Sequence, residues 1–466
     1  MPTAVTERRT SSRLIRRHQY SCAPVATRTP ALSPRALLLA AAIPILFLHL
    51  RYQPGFAVGI GSTTINAYLS DFAVLAVVVT GAAVGVRNGF GPLVHGRLFW
   101  GAAIAFFIWL FIEIAYGRAR DSGYAWQTHA VTGAKLLEYA LLAPAVVLIV
   151  RTLTDLLVTL WSLVLWSVFA TVIGIAQFFG APIFLAGTVA RRQASFLSSG
   201  DFAALSCAVL LLGLVAFGFP RLGLGRRLAA AATVTGIFGT IIAGSLAGVL
   251  GVVTALAVLT GVGLVRRELA VRPVALVAAA GLIVLVGSIA IRGADLDAFA
   301  RFLGASPGKQ QAHPTKIQTY AHRTLLVWLG YQIWLDHPLL GVGFEGSAEP
   351  NTFEPYLPAA HRHFPDESPN SFPARAPDRR YGVQNLWVQA LADLGVIGLA
   401  LTATVFAAAA WLSGRAALAG RRLGTITLAW TALLVWMFTA QGFVAGIPLD
   451  ALTWLAFGLA AAPEPA

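Results

Sequence analysis

Long apolar runs, separated by short polar gaps, recur from residue 36 to residue 462 and fix what this chain can fold into. A hydrocarbon core about 30 Å thick needs roughly 20 apolar residues per helix. Within lipid, only helices and closed barrels satisfy their own backbone. The runs fall at 36–50, 68–86, 98–116, 134–150, 155–179, 201–219, 228–244, 246–265, 273–291, 385–410, 424–441 and 444–462. Residues 228–265 exceed one span, and Gly244-Ser245 is the natural break. The pattern predicts an all-α polytopic membrane protein of about twelve transmembrane helices. Composition agrees, with 57% hydrophobic and 12% charged residues among 466.

Charge distribution gives an orientation. Residues 1–35 hold seven arginines among Ser, Thr and Pro and read as a disordered basic cytoplasmic tail. The charged stretch is too long for a secretory leader, and many further spans follow it. With the tail inside, each inside gap carries arginine: Arg87 and Arg97, Arg151, Arg221 to Arg227, Arg266 to Arg272, and Arg415 to Arg422. The short outside loops carry only Arg51, Arg118, Arg120, Arg191 and Arg192. The positive-inside rule then puts both termini in the cytoplasm. The net charge of +14 forms no basic stripe with interleaved aromatics, which argues against nucleic acid. Cys22 lies in the tail and Cys207 in an apolar run, so a disulfide or a metal pair between them is not expected.

The chain thus divides into the tail (1–35), nine helices (36–291), a large extracytoplasmic loop (292–384) and three further helices (385–466). The loop is too long for a connector. Within it, "RTLLVWLGYQIWLD" (Arg323 to Asp336) suits a helix lying in the interface. "HPLLGVG" (His337 to Gly343) marks a sharp turn. The Pro-, His- and Asp-rich stretch after it reads as mobile.

There is no P-loop, GxSxG elbow or HExxH, and no acidic run spaced for a metal, so ATP-driven transport by this chain is not expected. Arg191 and Arg192 sit in a short outside loop against the charge rule. They are either an anion site, because guanidinium forks bind phosphate, or arginines that snorkel to headgroups. Asp201 reads as a helix N-cap. Arg323 and the loop histidines His313, His322, His337, His361 and His363 are outer-face candidates. Glu113, Lys135 and Glu138 lie within or beside spans, where ionisable groups are paired or functional. Lys135 and Glu138, at i and i+3, are placed to pair with each other. In "GVQNLWVQALADLGVIGL" (Gly382 to Leu399), Asn385, Gln389 and Asp393 form one helical stripe. That stripe is either interhelical glue or the rim of a reaction site. Gly395 and Gly398 favour close helix approach.

In order and spacing, "RRQASFLSSGDFAAL", then Arg323, "DHPLLGVGF" and "GVQNLWVQALADLGVIGLAL" resemble the O-antigen ligase/polymerase superfamily of bacterial envelope glycosyltransferases. Arg323, Pro338, Gly341, Gly343, Asn385, Gly395, Gly398 and Leu399 match the family pattern, and Asp393 stands where Glu is usual. The resemblance implies a GT-C-like helical bundle in the bacterial inner membrane. It also implies transfer of a glycan from an undecaprenyl-pyrophosphate carrier to a saccharide or envelope acceptor on the outer face, without nucleotide sugar, metal or other cofactor. Arg191, Arg192 and Arg323 would then stabilise the leaving pyrophosphate. Gln384, Asn385 and Asp393 join Arg323 as candidate catalytic residues. Gln389, His337, His361 and His363 join the arginine pair as candidate substrate-binding ones. The chain departs from the family at Gln384, where relatives commonly have His. An amide cannot take a proton at neutral pH. A base must come from elsewhere, with His361, His363, His337, Asp393 and Glu113 as candidates. A transporter or flippase of lipid-linked sugars, or a scaffold protein of weakened activity, are the competing readings.

Overall fold

The computed structural model describes residues 32–60, 63–184, 192–268, 271–305, 307, 319–444 and 446–465. Nearly all of the basic tail, together with Cys22, Arg191 and His313, lies outside the described residues. Helix α1 (Pro34–Leu46) is followed by a hairpin, β1 (Gly55–Ile60) and β2 (Thr63–Tyr68). Then come α2 (Leu69–Asn88), α3 (Arg97–Arg120), α4 (Trp126–Ala140), α5 (Leu142–Ile149) and α6 (Leu153–Phe178). The chain continues through α7 (Ser199–Gly218), α8 (Arg226–Ala243), α9 (Leu246–Val265), α10 (Val271–Phe302) and α11 (Thr319–Asp336). The short α12 (Pro350–Phe353) and α13 (Leu357–His363) precede α14 (Leu386–Leu418), α15 (Arg422–Met437) and α16 (Ile447–Ala461).

Helix starts follow local chemistry. Ser33, Thr152, Ser198, Ser245 and Asn385 each accept a backbone N–H of the first turn they precede. At the break read from sequence, Gly244 adopts φ 57° and ends α8, and Ser245 opens α9.

Among the described residues, eight helical segments are long and apolar enough to cross a membrane. Pro34–Leu46, Arg422–Met437 and Ile447–Ala461 are shorter apolar helices. Helix α7 is buried from Ser199 to Val215 and α16 from Pro448 to Ala461, so these two form the centre of the bundle. Around them, Leu75, Val79, Ile104, Ile108, Phe169, Val172, Leu282 and Val286 stay exposed on outer helices, an apolar girdle that suits lipid rather than water. One end of the bundle is basic. There Arg35 pairs with Asp155 (3.5 Å), Arg266 with Glu268 (2.6 Å) and Arg422 with Glu464 (3.2 Å).

The opposite end carries α11 to α13. Leu325, Leu326 and Leu329 of α11 pack on Ala360, Phe364 and Phe372, each buried leucine contributing about 1.5–3 kcal/mol. Several local expectations change here. Helix α10 runs on to Phe302, which puts Arg292 on a helix rather than in a loop. The stretch read as mobile is a chain of short helical turns tied to α11. Lys135 pairs with Asp71, not Glu138. Ser198, rather than Asp201, caps α7, and its hydroxyl donates to Asp201 Oδ2 at 2.6 Å.

The tenth apolar run is not one unbroken helix, although the stripe of Asn385, Gln389 and Asp393 lies whole before the break. Gly395 (φ 68°, ψ −171°) breaks α14 two residues after Asp393. The "HPLLGVG" turn docks into the break. Val342 N–H donates to Ala392 O (3.0 Å), Gly343 N–H to Asp393 O (2.9 Å), and Val396 N–H to Pro338 O (2.9 Å). Trp109 Nε1 donates to Leu394 O (3.3 Å). Carbonyls freed by the break are thus satisfied by protein, as a low-dielectric setting demands. Gly341 (φ 75°) lies so close that a Cβ there would sit 2.6 Å from Asp393 O.

Candidate active site

The docked turn places Glu345 beside the start of α14, at the wall of a cavity of about 680 Å³. Its polar lining includes His49, Asp201, Arg323, Glu345, Gln384, Gln389 and Gln441. A second cavity of about 260 Å³ adjoins it. This one is lined by Arg192, Tyr320, Arg323, the N-terminus of α9 at Ser245 to Ala247, and apolar Leu250, Phe299 and Val327. Arg323 lines both. A third cavity of about 730 Å³, walled by Trp328, Tyr331, His363 and Phe364, shares Thr324 and Val327 with the second.

Arg323 is held by Gln384, whose Oε1 accepts from its Nε at 3.2 Å. The preceding residue, His322, anchors the same helix on the other side through Nδ1 to Ser371 O at 2.8 Å. Arg192 is 7% exposed, and its Nε donates to Ala243 O at 3.3 Å. Arg292 Nη1 donates to Gly244 O at 3.1 Å, its Nε pairs with Asp295 at 2.8 Å, and its guanidinium lies 5.0 Å from the Tyr320 ring centre. Two guanidiniums therefore meet the carbonyl end of α8, where the helix dipole welcomes cations. Burial, ahead of the charges of Arg292 and Arg323, pulls Arg192 down to about 10, so it stays protonated at neutral pH. Arg323 is lowered too, by burial first. Desolvated cations beside the free N–H groups of a helix start make a ready anion site.

The carboxylate side is built around α14. Gln389 Nε2 donates to Glu345 Oε1 (3.0 Å), while its Oε1 accepts from Phe443 N–H (2.8 Å). Asp393 is fully buried and accepts the N–H groups of Glu345 (3.2 Å) and Ser347 (2.8 Å). Burial pushes the Glu345 carboxyl up, against the hydrogen bond from Gln389 and the charge of His129.

Of the residues singled out in the sequence, Arg323, Gln384, Gln389 and Asp201 meet at the larger cavity, with Arg192 in the adjoining one. The others are elsewhere. Asn385 caps α14, its Oδ1 accepting from Trp387 and Val388 N–H and its Nδ2 donating to Thr439 O. Asp393 holds the turn instead of facing the cavity. Glu113 is 1% exposed and lines neither cavity. His361 stacks on Phe372 (3.9 Å between ring centres), and His363 stacks on Trp328 (5.2 Å) by the third cavity. His337 ends α11, lowered by burial and Arg120.

Sequence reasoning missed Glu345, Arg292, Tyr320 and His49. Arg292 carried a readable signal, since it follows directly on an apolar run on the outer side, as Arg191 and Arg192 precede one. Glu345 had only its place next to the docked turn.

Fold and site together define a multi-pass helical membrane protein with a polar, arginine-bearing chamber at the end opposite its basic face. Residues 231–403 match the family described as O-Antigen ligase. This stretch, from α8 into α14 and holding Arg292, Arg323, Glu345 and Gln384, belongs to the O-antigen ligase/polymerase superfamily. No curated protein matches the chain.

Proposed function

We propose that the protein transfers a glycan from an undecaprenyl-pyrophosphate carrier to a saccharide or envelope acceptor at the extracytoplasmic face of the bacterial inner membrane. The reading includes a twelve-helix GT-C-like bundle, both termini in the cytoplasm and the 292–384 segment outside. One observation carries it: Arg323 stands at the junction of a polar cavity and a smaller one that holds Arg192, a helix N-terminus and an apolar wall. A lipid pyrophosphate-sugar has the same division. Its diphosphate would lie against Arg192, Arg323 and the start of α9, with its first isoprene units along Leu250, Phe299 and Val327. Its sugar would enter the larger cavity among the amides. In the transfer, the C1–oxygen bond to diphosphate breaks as the acceptor oxygen bonds C1. The guanidiniums hold the charge that develops on the leaving oxygen, a role that fixed cations fill in a water-poor site. Gln384 orients Arg323, while Asn385 and Asp393 support the wall.

Reconstitution into liposomes tests this directly. Supplied with a lipid-pyrophosphate-linked glycan and an acceptor saccharide, the protein releases carrier pyrophosphate only when both are present. Sugar-lipid that crosses the bilayer without any release of carrier would instead mark a transporter.

A further inference from the structure

Resting on the glycosyl-transfer reading, we propose that Glu345 is the catalytic base that accepts the proton of the acceptor hydroxyl. Its side chain lines the same cavity as Arg323 and Gln384. Gln389 donates to Oε1, and among the described residues no hydrogen bond engages Oε2. Gly382 borders Oε2, where a Cβ would lie in contact at 3.8 Å and narrow the approach. The backbone is held for this purpose in an uncommon form. Glu345 has φ 60°, left-handed for a non-glycine residue, a strained conformation that persists where neighbours enforce it. Here the enforcement is the Asp393 carboxylate on its N–H and the turn docked in the α14 break.

The other titratable groups are unsuited. His49 lines the cavity, but its Nδ1 accepts from Arg51 N–H at 3.1 Å. In the neutral ring the proton then sits on Nε2, which can only donate. Asp201 has Oδ2 taken by Ser198, and its Oδ1, though unpartnered among the described residues, is sealed from the cavity against Gly446 on the α16 side. Asp393 is closed in by two backbone N–H groups. His337, His361 and Glu113 line none of the three cavities, and His363 lines the third.

The step balances without a further reactant. The acceptor oxygen bonds C1 of the donor sugar and its proton passes to Glu345 Oε2. The C1–O bond breaks, and the pyrophosphate leaves with that electron pair. Groups facing Glu345 are Asp393 on α14, His129 on α4 and Tyr124, beyond which Glu113 on α3 and Glu349 act on Tyr124, with Arg323, Arg380 and Asp201 around the cavity. Its carboxyl, pushed up by burial, is a better proton acceptor than an ordinary carboxylate.

In the liposome assay, Glu345→Gln keeps the Gln389 hydrogen bond and is expected to lower kcat about 100-fold or more. Donor affinity stays unchanged, and the limb in which wild-type kcat rises with pH disappears. Glu345→Asp keeps that limb at a reduced kcat. Glu345→Gln turning over like wild type, or both variants losing donor binding, overturns the assignment. So does an Asp201→Asn variant that alone abolishes the limb. A wild-type protein that releases no carrier pyrophosphate overturns the transfer reading and the base together, which separates the two failures.

Discussion

Gln384 accepts a hydrogen bond from Arg323 Nε at 3.2 Å, so the amide orients a guanidinium without neutralising it. Among the described residues, no hydrogen bond engages the Arg323 Nη atoms, which leaves them for an anion. A carboxylate at 384 would compete for that charge. Gln384→Glu is therefore expected to raise the KM for donor more than tenfold, and Gln384→Ala to raise it less. Steady-state kinetics with the lipid-linked donor reads the order of the two, and equal effects would contradict the orienting role.

Arg323 meets both cavities, and no lysine can copy its fork. Arg323→Ala is expected to cut transfer at least 100-fold, about 3 kcal/mol of transition-state stabilisation. Arg323→Lys recovers part of the binding and little of kcat. The measurement is carrier pyrophosphate released per protein at matched membrane levels.

Arg192 is buried beside the α9 start, with one N–H on Ala243 O. Its loss removes a charge-assisted contact worth about 1.5–3 kcal/mol, so Arg192→Ala weakens donor binding roughly 10- to 100-fold. Binding of a lipid pyrophosphate lacking sugar falls as much as that of the full donor, because the contact is to phosphate. An effect confined to the sugar-bearing ligand would move Arg192 away from the anion.

The helical membrane class was legible because apolar runs and arginine gaps are properties of single segments. Gly244-Ser245 was legible for the same reason: a left-handed glycine and a serine cap are local chemistry. The continuity of the run beyond the Asn385, Gln389 and Asp393 stripe was not legible, because helical periodicity carries no sign of Gly395 leaving the helix. What breaks α14 is a turn arriving from some fifty residues upstream in sequence. Glu345 was hidden likewise, and Arg292, although its place at the end of an apolar run was readable, gave no sign of its partners. Each gains its neighbours through tertiary packing, Glu345 from α14 and Arg292 from the end of α8 and Tyr320.

His129 Nε2 and Glu349 Oε1 lie 2.9 Å apart and tie α4 to the segment after the docked turn. Burial works to raise Glu349, but the hydrogen bond and charge of His129 prevail and hold it below its ordinary value. A depressed carboxyl contributes stability that is present above its unfolded pKa and lost as pH falls through the folded one. Amide exchange in residues 344–363 is therefore expected to speed up as pH drops from the ordinary glutamate range downward, after correction for intrinsic rates. In His129→Ala, exchange is already faster at neutral pH and the acid step is diminished.

Gly395 gives the most severe test of the architecture. Its φ of 68° disfavours any side chain, and a Cβ would sit 2.0 Å from Leu339 O. Relief requires either a straightened α14, which strands the N–H groups of Val342 and Gly343 and the carbonyl of Pro338, or an expelled 338–343 turn, which strands the carbonyls of Ala392 and Asp393. Gly395→Ala is expected to cost on the order of 3 kcal/mol or more, seen as a lower melting temperature in detergent and loss of transfer. Gly414→Ala is the matched control on the same helix, where a Cβ meets nothing within 4 Å. It leaves stability and activity near wild type. If Gly395→Ala melts and transfers like that control, the turn does not depend on the break in α14, and the placement of Glu345 loses its support.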